Sequence, residues 1–428
     1  MMAAAQRANR RTPLSALLAA TSVSQVGNVL SFLAIPWFVL QVTGSPARAG
    51  ITVATGALPV IAGGIFGGAL VDRFGARRMS ILADLASSAA VALVPLLYHT
   101  VGLAFWQLLV LVFLGALLDS PGITARRSIY PDLARDAGVS LERANALYQV
   151  ILRTALLVGP PLAGILIATI GASNLLWLNA ASFVVSAGIV ALAVRVRQPH
   201  EQTVRDETPG HFLGEIAEGF RFIRRDPVLL ALTITTSVGS LLAEPLYSVV
   251  LPVYAREVFG SAIDLGLMFA ALAAGSLAGN AVFWLVGPRL PRRATIIAGF
   301  TVRALTLWVL VFLPPLWVIV VSIVINALCL EPVNPMAMTI AQERIPAAMR
   351  GRVVGTVAAI AAMTLPLGML VYGWLLEAIG LQPTLLVLAV VNLALPVTML
   401  FLPGLRMLTA SRPAAPSMVR PPEPAGTT

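Results

Sequence analysis

The chain alternates between long apolar stretches and short polar segments along nearly its whole length. About 20 apolar residues suffice to cross the hydrocarbon core of a bilayer as an α-helix. Several stretches here are longer, which predicts tilted or extended helices. The pattern predicts twelve transmembrane helices, at about 14–42, 48–71, 78–98, 102–125, 143–170, 172–194, 228–255, 262–287, 293–313, 315–340, 351–378 and 382–404.

One polar segment is much longer than the others and divides the predicted helices into two sets of six. It comprises residues 195–227, and its second half places Phe212, Ile216, Phe220 and Ile223 at helical spacing beside three arginines. That spacing is typical of an amphipathic helix lying along the membrane surface. We therefore expect an N-terminal tail at 1–13, a six-helix bundle at 14–194, a linker at 195–227, a second bundle at 228–404 and a disordered tail at 405–428.

Arginines are concentrated in every second predicted loop. The cluster that follows the fourth helix contains Arg126, Arg127 and Arg135, whereas the intervening loops hold only Arg48 and Arg256. Because cytoplasmic loops carry an excess of basic residues, this pattern places both termini and the linker in the cytoplasm. An even number of helices requires the same arrangement. We expect a multi-pass protein of the inner (cytoplasmic) membrane.

Composition excludes several classes of protein. The chain is 58% hydrophobic and 11% charged, which is too apolar for a water-soluble globule. All 29 basic residues are arginine, so neither the lysine of a phosphate-binding loop nor a lysine Schiff base is possible. The basic balance is explained by arginines that flank membrane helices, so we expect a lipid bilayer and a small-molecule substrate as partners, and no nucleic acid.

Metal and cofactor chemistry also lacks a signal. The three histidines are far apart in the sequence, and Cys329 is the single cysteine. Neither an HExxH motif nor a clustered acid–base pair is present, so we expect no enzyme activity, metal or cofactor. Without a nucleotide-binding motif, an ion gradient, expected to be of protons, is the energy source that the sequence favours.

The two predicted halves contain similar stretches. Residues 112–171 resemble residues 324–380, and in both an acidic residue precedes a proline late in a helix that runs towards the cytoplasm. Parallel duplication of six helices is typical of transporters, in which two similar bundles move about a site at the membrane midplane.

The stretch "GALVDRFGARR" (Gly68 to Arg78) resembles the G-x-L-x-D-R-x-G-R-[RK] loop between helices 2 and 3 of the major facilitator superfamily. The stretches "VGPPLAG", "GFRFIRRDPVL" and "MRGRVVG" resemble its drug-efflux branch, which includes macrolide and enterobactin exporters. The resemblance covers about residues 14–404. It implies an all-α membrane protein with twelve transmembrane helices in two six-helix bundles. Ala76 stands where the family motif is usually basic, Asn28 replaces an aspartate common in this branch, and "GPRLPRR" in the second half lacks the motif's aspartate.

The loop motif is the expected conformational latch. Asp72 is placed to accept hydrogen bonds from helix N-termini or arginines of the other half, and release of that contact would accompany opening. The latch residues are Gly68, Asp72, Arg73, Gly75, Arg77 and Arg78.

Ionisable residues inside predicted helices are expensive and therefore candidates for function. Glu244 is the deepest carboxylate and precedes Pro245, so we expect it to carry the coupled proton or to contact substrate; a static partner for an arginine is the alternative. Asp119 and Glu331 occupy matching late positions, where gate or interface contacts are expected. The charge network is predicted to comprise Glu244, Arg303, Arg153, Asp119, Glu331 and Asp84.

Two further sets of residues suit a transporter, although core packing explains any one of them as well. Aromatic, amide and methionine side chains that suit bulky apolar ligands are Gln25, Asn28, Phe32, Trp37, Tyr247 and Met363. Glycines expected where helices of the two halves approach closely are Gly64, Gly159, Gly164, Gly275 and Gly279.

The sequence therefore predicts a monomeric secondary active exporter of hydrophobic or amphiphilic compounds, driven by proton antiport with alternating access. Two alternatives stay open: a dedicated exporter of an endogenous metabolite such as a siderophore, and a non-transporting membrane sensor on the same fold. Drug susceptibility and metabolite secretion in a deletion strain distinguish the first from a multidrug exporter.

Overall fold

The computed structural model describes residues 2–194 and 209–408, and within these ranges the chain forms helices joined by short turns. The first half contains six long helices: α1 (Met2–Thr43), α2 (Pro46–Phe74), α3 (Ala76–Thr100), α4 (Phe105–Asp136), α5 (Leu141–Ile170) and α6 (Ala172–Ala193). They pack into one bundle, in which α1 lies against α6 and α4 contacts both α2 and α3.

The second half begins with a surface helix, α7 (Pro209–Arg225), which packs on α8 and α14. The remaining helices are α8 (Pro227–Pro245), α9 (Leu251–Tyr254), α10 (Ala262–Val286), α11 (Arg292–Val311), α12 (Leu316–Leu330), α13 (Val333–Arg344), α14 (Arg350–Ile379), α15 (Leu381–Phe401) and α16 (Pro403–Met407). Their packing forms a second bundle, with α10 on α12, α11 on α15 and α14 on α8.

Twelve helical segments are long enough to cross a membrane, as the sequence predicts. Eleven of them, in the part of the chain that the structure describes, combine that length with sufficient hydropathy. The twelfth is α2, whose 29 residues lie between the first two of these spans. When α2 is counted, the seventh of the twelve spans is Pro227–Phe259, which joins α8 and α9. The tenth is Leu316–Arg344, which joins α12 and α13.

Local sequence explains where several helices begin and end. The Ser45 hydroxyl accepts a hydrogen bond from the Arg48 N–H at 3.2 Å, and Pro46 occupies the first turn of α2, where no N–H is needed. Gly75 has φ +78° and is the single residue between α2 and α3. Gly171 (φ +87°) and Gly380 (φ +80°) make the same one-residue connection at corresponding places in the two halves.

Some predicted boundaries differ from the structure. Residues 2–13, predicted as a tail, are helical and continuous with α1. The expected amphipathic helix is α7, while residues 195–208 and 409–428 lie outside the described part. The α-helical pattern stops at Pro245, and a π-helical turn, Leu246–Val250, follows it. Proline lacks the N–H of the regular ladder, which accounts for a change of geometry at this position.

The most extensive contacts between the two bundles are those of α2 with α14 and of α5 with α10. We call the side that carries α7, the α2–α3 turn and the α13–α14 turn the α7 face, and the other side the opposite face. Near the opposite face the pairs are in backbone contact: a Cβ added to Gly50 would lie 2.6 Å from the Met369 carbonyl oxygen, and one added to Gly164 would lie 2.6 Å from the Ala262 carbonyl oxygen.

The α7-face ends of α2 and α14 are not in such contact. A Cβ added to Gly68 on α2, or to Gly351 or Gly355 on α14, would meet nothing within 4 Å. Near the opposite face, by contrast, one hydrophobic core contains buried residues of both halves, such as Leu40, Leu251 and Tyr372. The bundles are therefore closed against each other near the opposite face and separated at the α7 face.

Candidate functional site

A cavity of about 640 Å³ lies between the two bundles, on the α7 side of the closed contacts. Both halves contribute to its wall: α1 and α5 from the first, and α8, α10, α11, α12 and α13 from the second. Its size is within the range of small-molecule sites. We call it the central cavity.

Among the described residues, one ion pair crosses the central cavity between the halves. Arg153 on α5 lies 3.8 Å (Nη1 to Oε1) from Glu331, which follows α12. The Asn280 side-chain amide donates to the same Glu331 oxygen at 2.7 Å. Because half of the Arg153 side chain is exposed, water screens this pair and its contribution to stability is small. The predicted contact between an intramembrane arginine and Glu331 is present, as a weak link between the two bundles.

Glu244 ends in the central cavity without a partner. Its side chain is exposed there, and its carboxylate has no hydrogen bond or ion pair among the residues that the structure describes. The backbone at this point departs from the α-helix, and the Ser248 hydroxyl donates to the Glu244 carbonyl oxygen at 2.8 Å. The carboxylate is thus open to water, to a proton or to a ligand.

Arg303 is buried deeper in the wall, with 2% of its surface exposed. It donates from Nη1 to the Gly239 carbonyl oxygen at 2.8 Å, and its guanidinium lies 4.9 Å from the centre of the Phe300 ring. Within the described ranges it pairs with no carboxylate, although the sequence predicts that it shares a charge network with Glu244, Asp119 and Glu331. Only Nη1 has an acceptor, whereas Nε and Nη2 are buried without a hydrogen-bond partner among the described residues.

A second group of charges lies inside the first bundle. Asp84 on α3 is fully buried and accepts from Arg126 Nη1 at 2.7 Å and from the Ser186 hydroxyl at 2.7 Å. Asp119 on α4 lies 3.7 Å from Arg126 Nη2 and accepts from the Asn28 amide at 3.1 Å. The structure thus brings Asp84 and Asp119 together around one arginine.

The arginine of this group was assigned to a loop by the sequence, and that assignment is wrong. Arg126 lies within α4, which continues to Asp136, and only 5% of its side chain is exposed. The missed signal is its spacing: Arg126 follows Asp119 by seven residues, which is about two helical turns and places both on one face.

The predicted cavity residues divide into two groups. Gln25, Asn28, Phe32 and Tyr247 line the central cavity. Trp37 does not, because it is 4% exposed and belongs to the hydrophobic core. It follows Phe32 by five residues, which turns it about 140° around α1. Met363 also lies outside the cavity lining, with 68% of its surface exposed on α14.

The predicted interface glycines divide as well. Gly164 does contact the other half, at Ala262. Gly159 packs on Val29 within the first bundle, whereas Gly275 and Gly279 pack on the backbone of α12 within the second, so these three are not at the boundary. The side chain of Gly64 falls outside the described part. Sequence reasoning missed Gly50, Gly373 and Gly266, which do lie at the boundary.

The predicted latch residues lie at the α7 face. Asp72, Arg73 and Arg78 are exposed, and the Asp72 carboxylate has no partner among the described residues. Arg77 donates to the Ala191 carbonyl oxygen of α6, within its own bundle. Gly68 faces open space, and Gly75 forms the turn. The loop makes no described hydrogen bond or ion pair with the second half in this conformation.

Polar contacts instead join the halves at the opposite face. Glu377 at the end of α14 accepts from the Ser45 hydroxyl at 2.8 Å and from the Ala47 N–H at 3.3 Å, so it caps the N-terminus of α2. Arg256 donates to the Leu40 carbonyl oxygen near the C-terminus of α1. Each charge has the sign that the helix end favours. The sequence had singled out neither contact.

Comparison with known proteins gives a consistent result. The family model for the Major Facilitator Superfamily matches residues 17–289 and 246–425. The multidrug efflux pump Tap of Mycolicibacterium fortuitum is 36% identical, over 94% of this chain and 99% of that protein. Macrolide efflux protein A of Streptococcus pyogenes is 22% identical, over 85% of this chain and 89% of that protein. The crystal structure of the nucleoside transporter NupG has the same fold, with a TM-score of 0.72 and 12% identity over 91% of this chain and 98% of that one.

Proposed function

Because the chain belongs to the Major Facilitator Superfamily, we propose that it exports hydrophobic or amphiphilic compounds by alternating access, driven by the entry of protons. The observation that carries the proposal is the central cavity, which lies between two bundles closed at one face and separated at the other. The matched relatives that are named as drug efflux proteins support the substrate class.

The contacts between the halves suit a rocking movement about the central cavity. At the opposite face they are backbone contacts of glycines together with two polar contacts that involve helix ends. At the α7 face Asp72, Gly68, Gly351 and Gly355 make no such contact with the other half among the described residues. A transporter of this kind exchanges one set of contacts for the other, and the predicted Asp72 latch belongs to the conformation in which the α7 face is closed.

The arginine distribution supports an orientation with the α7 face in the cytoplasm. Exposed arginines lie in the α2–α3 turn and on α7, at positions such as Arg73, Arg78, Arg221 and Arg224. The positive-inside rule favours the cytoplasm for that side of the membrane. The structure then represents the conformation that takes up substrate from the cytoplasm, in a protein of the inner membrane with both termini cytoplasmic.

Glu244 is the residue we assign to proton coupling. Its carboxylate is exposed to the central cavity and unpaired among the described residues, whereas Glu331 is held by Arg153 and Asn280. An unpaired carboxylate inside a membrane protein gains most from taking up either a proton or a cationic substrate. Competition between these two for one group couples their movements in opposite directions.

The test uses purified protein in liposomes with an imposed pH gradient and ethidium as the transported probe. We expect gradient-driven accumulation by the wild type and by Glu257→Gln, a matched control on the same helical span but outside the cavity lining. Glu244→Gln should lose gradient-driven accumulation while ethidium still exchanges across the membrane. Full activity of Glu244→Gln would remove Glu244 from this role. Wild-type transport undiminished by collapse of the gradient would contradict proton coupling.

A further inference from the structure

A second cavity of about 430 Å³ lies beside the central one, inside the first bundle. Helices α1, α2, α3, α4 and α6 form its wall, and Met369 of α14 is the only residue of the second half in the lining that the structure describes. The two cavities meet at Asn28 and Phe32, which line both. We call this space the side cavity.

The wall of the side cavity is almost entirely apolar, and its polar side chains bond to one another or to backbone. The Asn179 amide donates to the Ser31 hydroxyl at 2.6 Å, and the Thr52 hydroxyl donates to the Arg48 carbonyl oxygen at 2.7 Å. Asp119 differs from them. Its Oδ1 is buried and has no hydrogen-bond partner in the described part of the chain, and Asn28 bonds only to the other oxygen.

The charges around Asp119 do not balance. In the described part of the chain, Arg126 is the cation that lies near both carboxylates. Its Nη1 makes the short contact, 2.7 Å, with Asp84, whereas its Nη2 lies 3.7 Å from Asp119 Oδ1, beyond hydrogen-bond distance. Among the described residues, helices α1, α2, α3, α6 and α14 contribute no titratable side chain to the lining of the side cavity. A buried carboxylate oxygen without a donor is costly, so this end of the cavity favours a molecule that supplies one.

We propose that the side cavity is a second ligand site, for an apolar molecule that ends in one ammonium group. The apolar part contacts α2, α4 and α6, and the donor bonds to Asp119 Oδ1. The site differs in chemistry from the central cavity, where two acids and two arginines are present. Its ligand is a transported compound if the proposed export is correct, but the binding itself requires no gradient.

The experiment measures equilibrium binding of dansylcadaverine, an aromatic ring on a primary alkylamine, by its fluorescence on the full-length protein in detergent. Its N-acetylated form is uncharged and serves as the matched probe. Val112→Phe on α4 and Ala57→Leu on α2 each fill the side cavity only, and Leu272→Phe on α10 narrows the central cavity only. Asp119→Asn removes the charge and keeps the shape.

We expect both side-cavity variants to bind the amine about tenfold or more weakly than the wild type, and Leu272→Phe to bind it like the wild type. Asp119→Asn should lower the affinity for the amine about tenfold and leave the affinity for the acetylated probe unchanged. Thermal unfolding identifies a variant that fails to fold, and the other filling variant then decides. Unchanged binding in correctly folded Val112→Phe or Ala57→Leu would overturn the proposal, as would equal wild-type affinity for the two probes. Loss of proton coupling with this binding pattern intact would contradict only the proposed function.

Discussion

The closed contact between α2 and α14 allows one substitution to test the alternating conformations directly. A Cβ added to Gly50 would lie 2.6 Å from the Met369 carbonyl oxygen and 3.0 Å from the Gly373 Cα. Ordinary contact begins at 3.4 Å, so Gly50→Ala requires the two backbones to separate by about 0.8 Å. Backbone atoms cannot avoid the clash by changing a rotamer, so the closed face itself has to open.

The size of the effect follows from the cost of overpacking, about 1–3 kcal/mol. Alanine also has a higher helix propensity than glycine, by about 1 kcal/mol. Because α2 is helical in either conformation, this gain stabilises both equally and does not change the equilibrium between them. A change of about 1–3 kcal/mol moves a two-state equilibrium by about 5- to 150-fold. We therefore expect Gly50→Ala to shift the population towards the conformation in which the opposite face is open.

Distances between spin labels measure that population in a Cys329→Ser background. Labels at Val101 and Phe312, both exposed in turns of different halves, report on the opposite face, and labels at Phe74 and Ala348 report on the α7 face. Gly50→Ala should lengthen the first distance and shorten the second. Gly188→Ala is the matched control, because a Cβ there meets nothing within 4 Å. If Gly50→Ala, Gly188→Ala and the wild type give the same distance distributions, the contact at Gly50 does not hold the opposite face closed.

Three further predictions concern charged groups. Arg126→Leu leaves the buried Asp84 without its ion-pair partner and should lower the free energy of unfolding in detergent by about 3–5 kcal/mol. Adding Asp84→Leu should restore part of that free energy. Equal free energies of unfolding for the single and double variants would contradict the ion pair. Asp72→Asn should leave the unfolding temperature unchanged, because Asp72 is exposed in this conformation, and should lower the transport rate about tenfold. A normal transport rate would contradict the role of Asp72 as a latch. Burial opposes ionisation of Asp226, but hydrogen bonds from Arg344 and from the Val228 and Leu229 N–H groups outweigh it and hold the pKa of Asp226 below its usual range. This depressed pKa gives stabilisation that is complete above about pH 4 and is lost as the pH falls further, so the unfolding temperature of Asp226→Asn should depend less on pH below about 4 than that of the wild type.

The sequence by itself determined the number of helices and many of their ends. Crossing a bilayer requires about 20 apolar residues whatever the neighbouring helices are, so length and hydropathy identify the spans. Local rules also suffice at Ser45 and Pro46, where α2 begins, and at Gly75, where the backbone enters a region that favours glycine. Glu244 could be singled out from sequence because a carboxylate so deep in an apolar stretch is expensive, and the structure shows it in the lining of the central cavity.

The tertiary structure decided which side of each helix faces which partner. Arg126 turned out to be the buried partner of Asp84, Trp37 to be in the core, and Gly275 and Gly279 to pack within one bundle. In an apolar solvent every face of a helix can be apolar, so hydropathy carries little information about rotation. The closing contacts of Gly50 with Gly373 and of Glu377 with Ser45 join residues more than 300 positions apart. Local preference cannot specify such contacts, because they depend on how two separately formed bundles are placed against each other.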